Sequence, residues 1–137
     1  MSGVRAFVDT NILLYLYSEA DELKRNCAYS VMKQYDCQIS TQVLNEFSNV
    51  CTKKWNLSIE KIQDLIRQIC LYYDVTYIYE DTIEKALRIH ERYKYSYYDS
   101  LMIASALEHY CSYLLTEDMA HSQVIEGRLT IRNIFYI

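Results

Sequence analysis

Apolar residues along this chain fall into two kinds of pattern. Short, largely apolar runs predict strands over 4–8 (VRAFV), 37–40 (CQIS), 75–79 (VTYIY) and 112–116 (SYLLT), with a weaker one over 129–135 (LTIRNIF). Between them the spacing is helical. Ile62, Leu65, Ile66, Ile69 and Tyr73 fall at i, i+3, i+4, i+7 and i+11, a single apolar stripe. Ile83, Ala86, Leu87 and His90 repeat the pattern, with Asp81 and Glu84 at capping-box spacing at its start. The segment SLMIASAL at 100–107 is apolar on nearly all sides and predicts a helix packed deep in the fold. Strands alternating with helices predict an α/β fold: a three-layer α/β/α sandwich around a mainly parallel sheet of four to five strands, joined by right-handed crossovers.

The chain of 137 residues has no proline and only two glycines, with no linker, repeat or low-complexity tract. A single domain over 1–137 is expected. No apolar run reaches the ~18 residues of a membrane span, and the N-terminus MSGVRAF lacks a secretory pattern. A cytoplasmic protein with no membrane partner is the expectation. The five cysteines, Cys27, Cys37, Cys51, Cys70 and Cys111, are odd in number and scattered without a CxxC pair. They suggest small core residues before a disulfide framework or a zinc site. The net charge of −4 argues against broad, charge-driven nucleic-acid binding. It leaves room for a local basic patch, a basic partner or bound divalent cations.

Four acids stand where a carboxylate is costly or exposed to a purpose. In open parallel sheets ligands bind beyond the carboxyl ends of the strands. Asp9 follows the first strand there, Glu46 lies in the helix after the second, and Asp118 follows the fourth. Glu46 shares a helical stripe with Val43, Phe47 and Val50, so it needs a basic side chain, a helix N-terminus or a metal ion as partner. A glutamate reaching out from the stripe's edge is the plainer alternative. Asp99 opens the apolar helix and has capping-box spacing with Ser96. Asp9 with Thr10 has the makings of an N-cap, and Asp118, beside Glu117, those of a turn acid. Taken jointly, four acids at one sheet edge would repel one another unless cations neutralised them. Hard oxygen ligands select Mg²⁺ or Mn²⁺, and carboxylates holding such ions serve phosphoryl chemistry.

Four blocks carry a resemblance: FVDTNILLYLYS, STQVLNEF, YYDSLMIASAL and LLTEDM, in this order along nearly the whole chain. The sequence resembles the PIN-domain nucleases, in particular the toxins of VapBC toxin–antitoxin modules. The resemblance implies that Asp9, Glu46, Asp99 and Asp118 form a catalytic metal centre, with Asn11 and Thr116 as accompanying polar residues and Glu117 as an alternative to Asp118. It implies a Mg²⁺-dependent (or Mn²⁺-dependent) endoribonuclease that hydrolyses RNA phosphodiester bonds, restrained by a cognate antitoxin and assembling as a homodimer. Ser122 stands where the pattern leads one to expect glycine.

The segment RIHERYKYSYYD at 88–99 interleaves cations with tyrosines, the means by which unpaired RNA is held. Arg92, Lys94 and Tyr97 are candidate RNA contacts, with Lys53 and Lys54 as a second basic pair. Against this, most of the 15 tyrosines must serve packing, and Lys53-Lys54 also suits a solvated helix end. The three histidines show no HxxxH or HExxH spacing. Two rivals remain: a non-catalytic RNA- or protein-binding PIN-like module, and a phosphatase using Asp9 as nucleophile. The phosphatase pattern wants a second aspartate two positions on, where this chain has Asn11.

Overall fold

Ala6, Phe7 and Val8 are wholly buried in strand β1 (Arg5–Val8), which explains a continuous apolar run where a half-exposed strand would alternate. The computed structural model describes residues 3–136. After β1 come α1 (Thr10–Tyr17), α2 (Glu22–Met32), β2 (Asp36–Ser40), α3 (Thr41–Lys53) and α4 (Ile59–Tyr72). Then follow β3 (Asp74–Thr76), α5 (Glu80–Tyr93), α6 (Tyr97–Glu108), β4 (Tyr113–Thr116), β5 (Val124–Ile125) and β6 (Leu129–Asn133). The strands form one sheet in the order β3-β2-β1-β4-β6-β5, flanked by the helices. All neighbours are parallel except β5 with β6. The central position of β1 places Phe7 opposite both Gln38 and Leu114, so the loops leaving β1, β2 and β4 open on the same edge. Helix α6 packs against β1, β2 and β4 and buries every residue from Ser100 to Leu107, as its all-round apolar character predicts.

Three local expectations need correction. The third strand stops at Thr76, and Tyr79 serves as N-cap of α5. The cap bond there is not made by the Asp81/Glu84 pair; the hydroxyl of Thr82 accepts the Tyr79 N–H at 3.2 Å. The buried face of α5 is Thr82, Ala86 and Ile89, while Ile83, Leu87 and His90 are exposed. A threonine can sit on that face because its hydroxyl also donates to Glu108 at 2.7 Å, which leaves it satisfied. The sheet also has six strands where four to five were expected. The extra one, β5, is two residues long, too short to leave a periodic trace.

At Ser122 the expected glycine conformation is present without the glycine. Its φ is 71°, and its N–H donates to the Ile131 carbonyl at 2.8 Å, so the turn is held by that bond. An L-residue in this region costs ~1–2 kcal/mol, offset in part by the chain entropy a glycine loses on folding. Ser122→Gly is therefore expected to stabilise the protein by roughly 0.5–1 kcal/mol, read as a higher denaturant midpoint at unchanged slope. A lower midpoint would show that the serine side chain contributes more than its backbone strain costs.

Candidate active site

Asp9 is the first residue past β1, yet its N–H still donates to the Leu115 carbonyl of β4 at 3.0 Å. It occupies the N-cap position of α1 through its backbone: its carbonyl accepts from Ile12 and Leu13 at 3.1 and 3.2 Å. Its side chain makes no cap bond. The carboxylate instead accepts the Thr116 hydroxyl at 2.9 Å, a contact prepared by the register that pairs Val8 with Leu115 one position earlier. Capping and side-chain chemistry are thus separated within one residue. Asp9 is only 5% exposed, and burial pushes its carboxyl from 3.8 up to about 7. The Thr116 bond lowers that value, whereas the charges of Asp118, Asp99 and Glu46 raise it.

Glu46 is half-buried on α3 beside the buried Val43 and Phe47, as its stripe predicts. Neither partner found is basic; one is the side chain of Thr10, the first residue of α1, and the other is on α3 itself. The Thr10 hydroxyl donates to Oε1 at 2.5 Å and the Gln42 amide to Oε2 at 3.2 Å. Neither is marked in the sequence as a partner of Glu46, although Gln42 stands one helical turn before it, where an i, i+4 hydrogen bond is open. Asp99 lies in the first turn of α6, whose N-cap Ser96 accepts the Asp99 N–H at 3.1 Å. Burial raises the Asp99 carboxyl, as do the charges of Asp118 and Glu46, while hydrogen bonding with Ser96 lowers it.

Asp118 is exposed after β4, its Oδ1 3.3 Å from the Thr116 hydroxyl. That hydroxyl has one proton and lies nearer Asp9, so Asp9 is its main acceptor. Glu117 is drawn elsewhere: Lys24 binds it at 2.6 Å, and the one proton of the Tyr15 hydroxyl is shared between its two oxygens, 2.8 and 2.9 Å away.

Asp9, Glu46, Asp99 and Asp118 line one cleft of about 330 Å³, together with Thr10, Asn11, Asn49 and Tyr98. Glu117 is not among its walls. No three His, Cys, Asp or Glu side chains stand in a ready metal-holding group among the described residues. The donor chemistry nevertheless fits a hard divalent cation: four carboxylates share the cleft with no histidine or cysteine on its walls among the described residues, and burial, together with the charges of neighbouring acids, raises Asp9 and Asp99. None of the five candidate RNA contacts borders this cleft. Arg92 pairs with Glu126 at 3.1 Å. Lys94 is the left-handed C-cap of α5, and Lys53 and Lys54 end α3, all exposed. Tyr97 packs with Ile78 on Ala86, Leu101 and Ala104. The tyrosine that reaches the cleft is its neighbour Tyr98, because successive helical residues point about 100° apart.

The chain is similar in fold to a toxin–antitoxin complex from Klebsiella pneumoniae, with a TM-score of 0.73 and 23% identity over 96% of this chain and 99% of that one. It is also similar to VapC20, a sarcin-ricin loop cleaving toxin of Mycobacterium tuberculosis, at a TM-score of 0.66 and 19% identity over 80% and 86% of the two chains. VapBC2 from Rickettsia felis, bound to a DNA fragment from its promoter, gives 0.68 and 16% over 93% and 98%. No curated protein matches the sequence. At these identities the likeness is one of fold. The family model described as PIN domain matches residues 6–126, a span that holds all four cleft acids. The chain belongs to the PIN domain family.

Proposed function

We propose that this protein is a divalent-metal-dependent endoribonuclease, acting as a single domain over 1–137, and the toxin of a type II toxin–antitoxin pair. The observation that carries the proposal is Asp9. It is nearly fully buried, has a single side-chain hydrogen bond among the described residues and shares its cleft with three further acids. A purely structural role has no use for that arrangement. A non-catalytic module would accommodate Glu46, which Thr10 and Gln42 satisfy, but it leaves the buried Asp9 without a purpose.

Asp9, Glu46, Asp99 and Asp118 would hold Mg²⁺ or Mn²⁺, which supplies charge stabilisation at the phosphate and a water acidic enough to attack it. The chain's own groups prepare the site. Thr116 favours the charged form of Asp9 through its hydrogen bond. Thr10 and Gln42 fix the two oxygens of Glu46. Ser96 starts α6 so that Asp99 faces the cleft from its first turn. Lys24 and Tyr15 hold Glu117 aside, which keeps a fifth carboxylate out of an already crowded field. Among the described residues no serine–histidine or cysteine–histidine pair borders the cleft.

The neighbours described as toxin–antitoxin complexes support a cognate antitoxin as partner. A homodimer is the further assembly that the family resemblance implies. No helix among the described residues is long and apolar enough to cross a membrane. The purified protein is expected to cleave structured RNA with Mg²⁺ or Mn²⁺ and to stop when the ion is chelated. Undiminished cleavage in excess chelator would overturn the mechanism.

A further inference from the structure

Beside the acid cleft lies a second one of about 510 Å³, walled by Gln42, Asn45 and Asn49 of α3, by Ile78, and by Tyr98 and Leu101 of α6. The two share Glu46, Asn49 and Tyr98, so they form one continuous surface. Tyr98 stands on the shared wall with 62% of its surface exposed. Its ring is held: Tyr97 abuts it edge-on, with centroids 5.3 Å apart and planes at 69°, and Tyr97 is itself packed on Ala86, Leu101 and Ala104. Its backbone is held too. The Gln42 amide nitrogen donates to the Tyr98 carbonyl at 3.0 Å and to Glu46 at 3.2 Å. Both partners are acceptors, which fixes the orientation of the amide and leaves the Gln42 carbonyl oxygen buried without a donor among the described residues. The fold tolerates that desolvation penalty in a bar that ties the exposed ring to the acid centre.

A rigid, exposed aromatic face beside a phosphodiester-cleaving centre has a natural occupant. Every nucleobase presents a π-face to stack, and only an unpaired base has that face free. Asn45 and Asn49, exposed and one helical turn apart on α3, add amide donors and acceptors of the kind that pair with a base edge. Among the described residues no lysine or arginine lines this cleft and Glu46 does, which disfavours a phosphate and suits a neutral ring. We propose that the second cleft is a subsite for one unpaired RNA base flanking the scissile phosphodiester, with Tyr98 as its stacking platform and Asn45 and Asn49 on its edge. The proposal rests on the nuclease reading above.

The test is fluorescence anisotropy with fluorescein-labelled RNA heptanucleotides, single-stranded and in duplex, with Ca²⁺ as the divalent ion. Each heptamer is also made with one base removed, position by position. Wild type should prefer the single strand and lose affinity when one particular base is absent. Tyr98→Ala should weaken single-strand binding roughly 5- to 150-fold, the effect of losing one stacked base. Tyr98→Phe should bind within about twofold of wild type, because it keeps the ring. In a double cycle the two losses should overlap: removing that base should cost Tyr98→Ala almost nothing further. An unchanged melting temperature confirms the fold of each variant. A wild type that binds RNA alongside an equally tight Tyr98→Ala, or fully additive losses, would overturn the subsite and leave the nuclease reading standing. A folded wild type that neither binds nor cleaves RNA would overturn both.

Discussion

Replacing Asp9 by asparagine is expected to abolish RNA cleavage and, in the metal-free protein, to raise the melting temperature at pH 8 while leaving it nearly unchanged at pH 4. The sign follows from burial. In the unfolded chain the carboxyl ionises near 3.8, whereas in the folded protein it keeps its proton until about pH 7. Between those values the folded state binds more protons, so stability falls as pH rises and stays low above pH 7. The raise, at ~1.36 kcal/mol per pH unit, amounts to roughly 4 kcal/mol lost between pH 4 and pH 8. Asparagine cannot ionise and escapes that loss, and its carbonyl can still accept the Thr116 hydroxyl, so the local geometry survives. Thermal melts of both proteins across pH 4–8 in chelator measure the effect. Parallel curves would mean that Asp9 is solvated or paired in a way its 5% exposure contradicts. Added Mg²⁺ should then restore the wild type at pH 8 and leave the variant unmoved, since binding to the folded state alone stabilises it.

The second large effect concerns Glu46→Gln. The new side chain can turn its amide nitrogen toward the Thr10 hydroxyl and its oxygen toward the Gln42 amide, keeping both hydrogen bonds with roles exchanged at Thr10. The fold and antitoxin binding are expected to persist. One negative charge leaves the cleft, however, and losing a metal ligand or its close partner typically costs roughly 10- to 100-fold in metal affinity or activity. Expression of wild type and variant from a tightly controlled promoter, with growth and RNA cleavage assayed side by side, gives the readout. Full toxicity in a well-folded Glu46→Gln protein would remove Glu46 from the site.

The acids and the alternation of strands and helices were legible in the chain because each leaves a local mark. A carboxylate on an apolar stripe (Glu46) or at the end of a buried strand (Asp9) is an anomaly of sequence, visible without coordinates. What neutral partners satisfy them was not legible in full. Thr116 lies 107 positions from Asp9 and Thr10 lies 36 from Glu46, and only the pairing of β1 with β4 and the docking of α3 on α1 bring them together. The rotation of α5 escaped for a related reason: Thr82 is polar, and it belongs on the buried face only because Glu108, from another helix, accepts its proton. The choice between adjacent residues was likewise tertiary. Glu117 and Asp118 are equivalent in composition, but Lys24 and Tyr15 draw one away and leave the other on the cleft. Tyr97 and Tyr98 divide in the same manner between a packed face and an open one. The sequence by itself determined which residue types are anomalous and the order in which they come. The tertiary structure decided which atoms meet, because hydrogen bonds and charge repulsion act over a few ångströms of space and not along the chain.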